Sequence, residues 1–125
     1  MTRNILVTGA ASGIGAEICK KLANEETNFL VHTRSNKEGL DQIVSYIEGV
    51  GGRAHQKLSD LSIKGEGRQL IKEAAQHLDG LDIIIANAGY ANKTSISDIT
   101  DGEFEEAHNT IARSFFELTT AAIPF

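Results

Sequence analysis

Apolar positions along the chain switch between two spacings. Short runs suited to strands occur at Asn4 to Thr8, Asn28 to His32, Arg53 to Leu58 and Leu81 to Ala86. Between them lie stripes at helical spacing: Ile14, Ile18, Leu22; then Leu40, Ile43, Val44, Ile47; then Leu70, Ile71, Ala74, Leu78. Val50-Gly51-Gly52 and Asp79-Gly80 punctuate the second and third helices, as glycine C-caps do. Thr100-Asp101-Gly102-Glu103 is a capping-box pattern, and the stripe after it runs Phe104, His108, Ile111, Phe115, Leu118, Ala122. The pattern predicts β-α repeated four times, hence an α/β fold with a parallel sheet covered on both faces.

Doubly wound strand order would be 3-2-1-4. That order puts Ile83-Ile84-Ile85-Ala86, a run suited to burial on both faces, on an open edge. Either a partner covers the edge or a further segment belongs beside it.

Composition narrows the class. With 125 residues there is room for one domain, 1–125, and one core. A net charge of −5 leaves no basic surplus for phosphates, which argues against nucleic acid as a partner. No window approaches a membrane span and the N-terminus lacks a signal-peptide pattern. The single cysteine, Cys19, excludes an internal disulfide and fits a reducing cytoplasm. Beside Ile18 and Leu22 it reads as a core residue. His32, His55, His77 and His108 lack metal-ligand spacing among themselves or with Cys19. Glu103, Glu105 and Glu106 begin a helix, where negative charge suits the dipole without any catalytic role.

The chemistry is carried by Thr8-Gly9-Ala10-Ala11-Ser12-Gly13-Ile14-Gly15, where the first strand breaks into glycines and a helix opens. Gly9 permits a tight turn, and Gly13 and Gly15 let backbone amides and the helix approach a dinucleotide pyrophosphate. Ser12 either contacts a 2′-phosphate or satisfies the turn. About twenty residues beyond the glycines, where the ribose would lie, stand Thr33 and Arg34. An acidic residue there would suit NAD; Thr33 and Arg34 suit the 2′-phosphate of NADP. Asp60-Leu61 follows the third strand, placed to reach the adenine edge. Asn87-Ala88-Gly89 follows the fourth, at the strand C-termini where open α/β sheets bind ligands.

With Asn109, these segments resemble the short-chain dehydrogenase/reductase family, in order along the whole chain. The resemblance implies a Rossmann-type sheet and an oxidoreductase that binds NADP(H) in preference to NAD(H). It implies cofactor contacts from Gly9, Ser12, Gly13, Ile14, Gly15, Arg34, Asp60, Leu61, Asn87, Ala88 and Gly89. Asn109 would take the family asparagine's part, holding a water in a proton relay. The general look is similar to 3-oxoacyl-[acyl-carrier-protein] reductases.

The family's chemistry also needs a serine, and a tyrosine with a lysine four residues later that lowers the tyrosine pKa. Here Val50 follows Tyr46 at that spacing and Thr94 follows Tyr90, so neither tyrosine forms the pair. Family members run to about twice this length, so the expectation is a truncated, N-terminal cofactor-binding half that is inactive alone. The alternative is a non-catalytic dinucleotide-binding or dimerisation module. In either case the open edge of strand 81–86 and the helix over 101–123, apolar on more than one side through Phe116 and Ile123, predict a homodimer or larger assembly.

Overall fold

The computed structural model describes residues 1–89 and 93–125; Tyr90 lies outside them. Strands β1 (Arg3–Val7), β2 (Thr27–Thr33), β3 (Arg53–Leu58) and β4 (Ile83–Ile85) alternate with helices α1 (Gly13–Leu22), α2 (Lys37–Gly49) and α3 (Glu66–Leu78). After β4 come α4 (Asp101–His108), a π turn (Asn109–Arg113) and α5 (Ser114–Ala122). All pairings are parallel and the sheet order is β3-β2-β1-β4, the doubly wound order the sequence predicts. Leu6 registers with Leu30 on one side and Ile84 on the other.

Strand periodicity divides the core in two. Ile5, Val7, Phe29 and Val31 point to one face and pack under α1 and α2, against Cys19, Leu40, Ile43 and Ile47. Leu6 and Leu30 point to the other and pack under α3 and α5, against Leu70, Ile71, Leu78 and Leu118. Each such side chain contributes about 1.5–3 kcal/mol on burial. Cys19 is fully buried as expected, and burial pushes its thiol up to about 12, which makes it inert. At the end of α3, Asp79 takes a left-handed φ of 58° and Gly80 a φ of 113°, closing the helix where the sequence marks it.

Three expectations are corrected. Strand β4 spans three residues rather than Leu81 to Ala86; beside its start the Asn4 amide donates to the Asp82 carboxylate (2.8 Å) while the Asp82 amide donates to the Asn4 carbonyl (2.9 Å). Lying on the edge, its isoleucines are only half-buried.

In α1 the core face is Gly15, Ala16 and Cys19, whereas Ile14 is 72% exposed and Ile18 and Leu22 are half-buried. The helix approaches the sheet through its smallest residues: a Cβ on Gly15 would collide with the Gly9 carbonyl oxygen. That contact rotates the isoleucines toward a groove between α1 and α2.

The last helix runs from Asp101 to Ala122 as expected but carries a π turn, and its predicted stripe is largely outside: Phe104, His108, Ile111 and Phe115 are exposed, while Leu118 is buried. At the π turn the Ser114 amide donates to the Asn109 carbonyl, five residues back. The extra residue turns α5 so that Ser114, Glu117 and Leu118 face inward. The Ser114 hydroxyl takes the Thr110 carbonyl that the turn leaves over. Glu117, fully buried, accepts from the Gly65 amide (2.7 Å) and the Arg68 guanidinium (2.9 Å), a carboxylate at the start of α3 that suits the helix dipole.

Candidate dinucleotide crevice

At the C-terminal edge of the sheet the chain leaves β1 into a turn held from three sides. Gly9 has φ +66°, and a Cβ there would sit 2.9 Å from the Ala88 Cα, so both conformation and proximity demand glycine. The Thr8 hydroxyl oxygen accepts from the Asn87 and Ala88 amides, each at 3.0 Å. The Asn87 side chain donates back to the Gly9 carbonyl at 3.1 Å. From β2, the His32 carbonyl accepts from the Ala10 amide (2.8 Å), and the His32 ring bonds the Gly9 amide (3.3 Å) and the Ser59 carbonyl (2.9 Å). Burial lowers the His32 pKa, against a smaller opposing effect of the Ser59 bond.

Beyond the turn, Ser12 is the N-cap of α1 in extended conformation, and its side chain makes no capping bond. Gly13 has φ +56° and open space where a Cβ would project. Together the first-turn amides and the positive end of α1 form a surface suited to an anion. Ile14 adds only its amide there, since its side chain lines the α1–α2 groove.

Across the sheet edge, Gly9, His32, Arg34, Asp60, Gly89 and Thr110 surround a cavity of about 170 Å³. That is smaller than the ~300–1,000 Å³ typical of whole-ligand pockets, so it suits one portion of an extended ligand. Leu61 lines it too, but its side chain is buried in the core, leaving the backbone to face a ligand.

The Asp60 carboxylate is already engaged. One oxygen accepts from the Ser62 hydroxyl (2.6 Å) and amide (3.0 Å), and the other pairs with Arg34 at 3.3 Å. The Ser62 hydroxyl first, and then its amide and Arg34, hold the Asp60 carboxyl below its ordinary 3.8 despite partial desolvation. Arg34 also pairs with Glu106 of α4 at 3.2 Å. Glu106, read from sequence only as a helix-start carboxylate, is thus a second partner for this arginine. The arrangement brings Gly9, Arg34, Asp60, Leu61, Ala88 and Gly89 around one cavity and sets Asn87 behind the turn.

Asn109 stands just outside the cavity wall. It opens the π turn, and its side-chain oxygen accepts from Arg113 Nε at 3.3 Å, while Thr110 beside it lines the cavity. Single π turns inside α-helices recur at functional sites, and this one falls on the residue that the motif pattern singles out. His32 was visible in sequence only as a histidine without metal spacing. Its place at the end of β2, one strand from the glycine turn, is the signal that could have found it.

The profile of the short chain dehydrogenase family matches residues 3–125, and the chain belongs to that family. Among its relatives, an uncharacterized oxidoreductase of Methylorubrum extorquens is 32% identical over 117 residues, covering 94% of this chain and 47% of that protein. The 3-oxoacyl-[acyl-carrier-protein] reductase FabG of Staphylococcus aureus is 28% identical over 124 residues, 99% of this chain and 50% of that one. A short chain dehydrogenase from Burkholderia cenocepacia, solved in complex with NADP, superposes with a TM-score of 0.93 at 30% identity, over 98% of this chain and 50% of that one. The chain spans about half the length of the curated relatives it matches. Among the described residues no helix is long and apolar enough to cross a membrane.

Proposed function

We propose that these residues form the NADP(H)-binding half of a 3-oxoacyl-[acyl-carrier-protein] reductase-like carbonyl reductase. The observation that carries this reading is the clamped turn. Thr8, Asn87 and His32 fix Gly9, and the open α1 N-terminus lies beside it, so a pyrophosphate would meet prearranged amides. Ser12, Gly13, Ile14 and Gly15 offer those amides. Asp60, Leu61 and Arg34 wall the adenosine portion, and Asn87, Ala88 and Gly89 flank the nicotinamide ribose. The solved relative with NADP bound supports the cofactor, and Arg34 supports a preference over NAD(H).

When bound, the cofactor supplies a hydride. These residues position it, and Asn109 would hold a water beside it. No tyrosine among the 125 residues has a lysine four positions on, so the proton donor for a reduced carbonyl is not provided by that pair here. Fluorescence titration tests the reading: NADPH binds more tightly than NADH, and Arg34→Ala removes the difference. No NADPH-dependent reduction of acetoacetyl-CoA is expected from the chain alone. Equal affinities in the unsubstituted protein would remove the NADP assignment.

A second output is supported by a separate surface. Ile111, Phe115, Phe116 and Ile123 are all at least half exposed on the last helical segment, and β4 keeps an open edge. Association of two copies through one of these surfaces would cover them. Light scattering at micromolar concentration should give at least a dimer mass; a monomer would count against this reading.

A further inference from the structure

We propose that His32 is the positioning residue of the crevice: neutral, with Nδ1 bare and Nε2 protonated, it fixes the spacing between the glycine turn and the exit of β3. This deepens the dinucleotide-binding reading and rests on it. The partners dictate the tautomer. The Gly9 amide can only donate, so the ring nitrogen facing it, Nδ1 at 3.3 Å, must be an acceptor. The Ser59 carbonyl can only accept, so Nε2 at 2.9 Å must carry the proton. At 2% exposure the ring is shielded from bulk solvent. The His32 main chain holds the same turn through its carbonyl and the Ala10 amide. One residue thus joins the turn proposed to cradle the pyrophosphate to the Ser59-Asp60-Leu61 wall proposed for the adenosine.

A second proton on the ring would set an N–H donor against the Gly9 N–H donor. The bond would be lost and the turn released. The surrounding charges do not offset this. Across the cavity, Arg34 is paired with Asp60 and Glu106. On β3, Lys57 is in register with His32 and is paired with Glu73 of α3. The ends of β1 and β4, Thr8-Gly9 and Asn87-Ala88-Gly89, carry no titratable side chain. Burial is therefore the dominant influence on the ring, and it favours the neutral form. If the site needs that form, then by reciprocity a bound dinucleotide must hold His32 neutral to lower pH.

NADH is the probe of choice, because its ribose has no 2′-phosphate to titrate in the same range. Its affinity is measured from pH 8 to pH 5, and the His32 ring nitrogens are followed by ¹⁵N NMR with and without saturating NADH. The expected ring is protonated at Nε2 only, its titration moves to lower pH when NADH binds, and affinity falls by up to about tenfold per pH unit between the titration of the free ring and that of the bound one. His32→Asn, whose side chain does not titrate in this range, should lose that pH dependence whatever its affinity at pH 8.

A proton on Nδ1, a titration unmoved by NADH, or a His32→Asn profile matching the unsubstituted protein would overturn the proposal. The ring measurements need no variant, so a misfolded substitution cannot hide the answer. Failure of both NADH and NADPH to bind at pH 8 would sink the dinucleotide reading itself, and the proposal with it. Normal binding with an unmoved His32 would sink the proposal alone.

Discussion

At the glycine turn and along β2 the side chains are covered and interlocked, whereas from Asp101 onward most of the apolar surface is left exposed. In the first region Thr8, Asn87 and His32 interlock around one turn, and β2 is buried at every position. In the second, α4 buries no residue, the helix carries a π turn, and Phe104, Phe115 and Phe116 are 56–64% exposed. The contrast separates two jobs. One region is the crevice wall, where Thr8, Asn87 and His32 hold the main chain of the glycine turn. The other has a single inward seam, Ser114, Glu117 and Leu118, and leaves the rest of its apolar surface for something else to cover.

The largest expected effect tests that seam directly. Leu118→Ala, in the core under β1 and β2, should destabilise the chain by about 2–5 kcal/mol, read as a lower urea midpoint with unchanged slope. Phe115→Ala removes a larger side chain one helical turn away, yet it should shift stability by no more than about 0.5 kcal/mol. Its effect should appear instead in light scattering, as a loss of associated mass. Equal destabilisation by the two would erase the distinction between the regions.

Next in size is the interlock. Thr8→Val keeps the shape but leaves the Ala88 amide without its acceptor, at about 1–3 kcal/mol, while the Asn87 amide keeps its bond to the Ile85 carbonyl (3.1 Å). NADPH affinity should fall along with stability, because the same bonds hold Gly9 in place. Intact affinity would show that the turn stands without Asn87 and Ala88.

Why the sequence revealed one region better than the other follows from the same contrast. Strand order, the two core faces and the glycine turn rest on local signals: period-two burial, apolar runs and glycines with positive φ. Stripes failed where a close backbone contact or an added residue overrode periodicity. In α1 it was the passage of Gly15 against the Gly9 carbonyl, and in the last helix the single residue added at Asn109. His32, Glu106 and Glu117 were not legible as parts of a site, because each acts on a group at least 23 positions away, from Gly9 to Gly65. A buried histidine or glutamate has no spacing pattern of its own. It becomes readable only when the topology supplies its partner.

Acid stability offers a further separation. His32 titrates below its ordinary 6.5 in the folded chain, so between those two values the unfolded chain binds more protons. Stability from this group is therefore complete above pH 6.5 and lost as pH falls below it. Asp60, held below 3.8, contributes stability above that value that is lost only as pH falls through its lower folded pKa. Urea midpoints against pH should show the first decline vanish in His32→Asn and the second persist. A first decline that survives the substitution would assign it to another group.

The smallest effect probes the ion pair that joins the two regions at the crevice. Arg34 bridges Asp60 and Glu106, so a 2′-phosphate must compete with two carboxylates for one guanidinium. Arg34 and Glu106 are 59% and 37% exposed, and such pairs are worth only about 0–1 kcal/mol. Glu106→Gln should therefore tighten NADPH binding by no more than about fivefold, because 1.4 kcal/mol is needed for a factor of ten. NADH, which has no phosphate to place there, should bind as before. The gain should shrink as salt rises, since the pair it relieves is already screened. Equal changes for both cofactors would mean that Glu106 acts on the position of α4 rather than on Arg34.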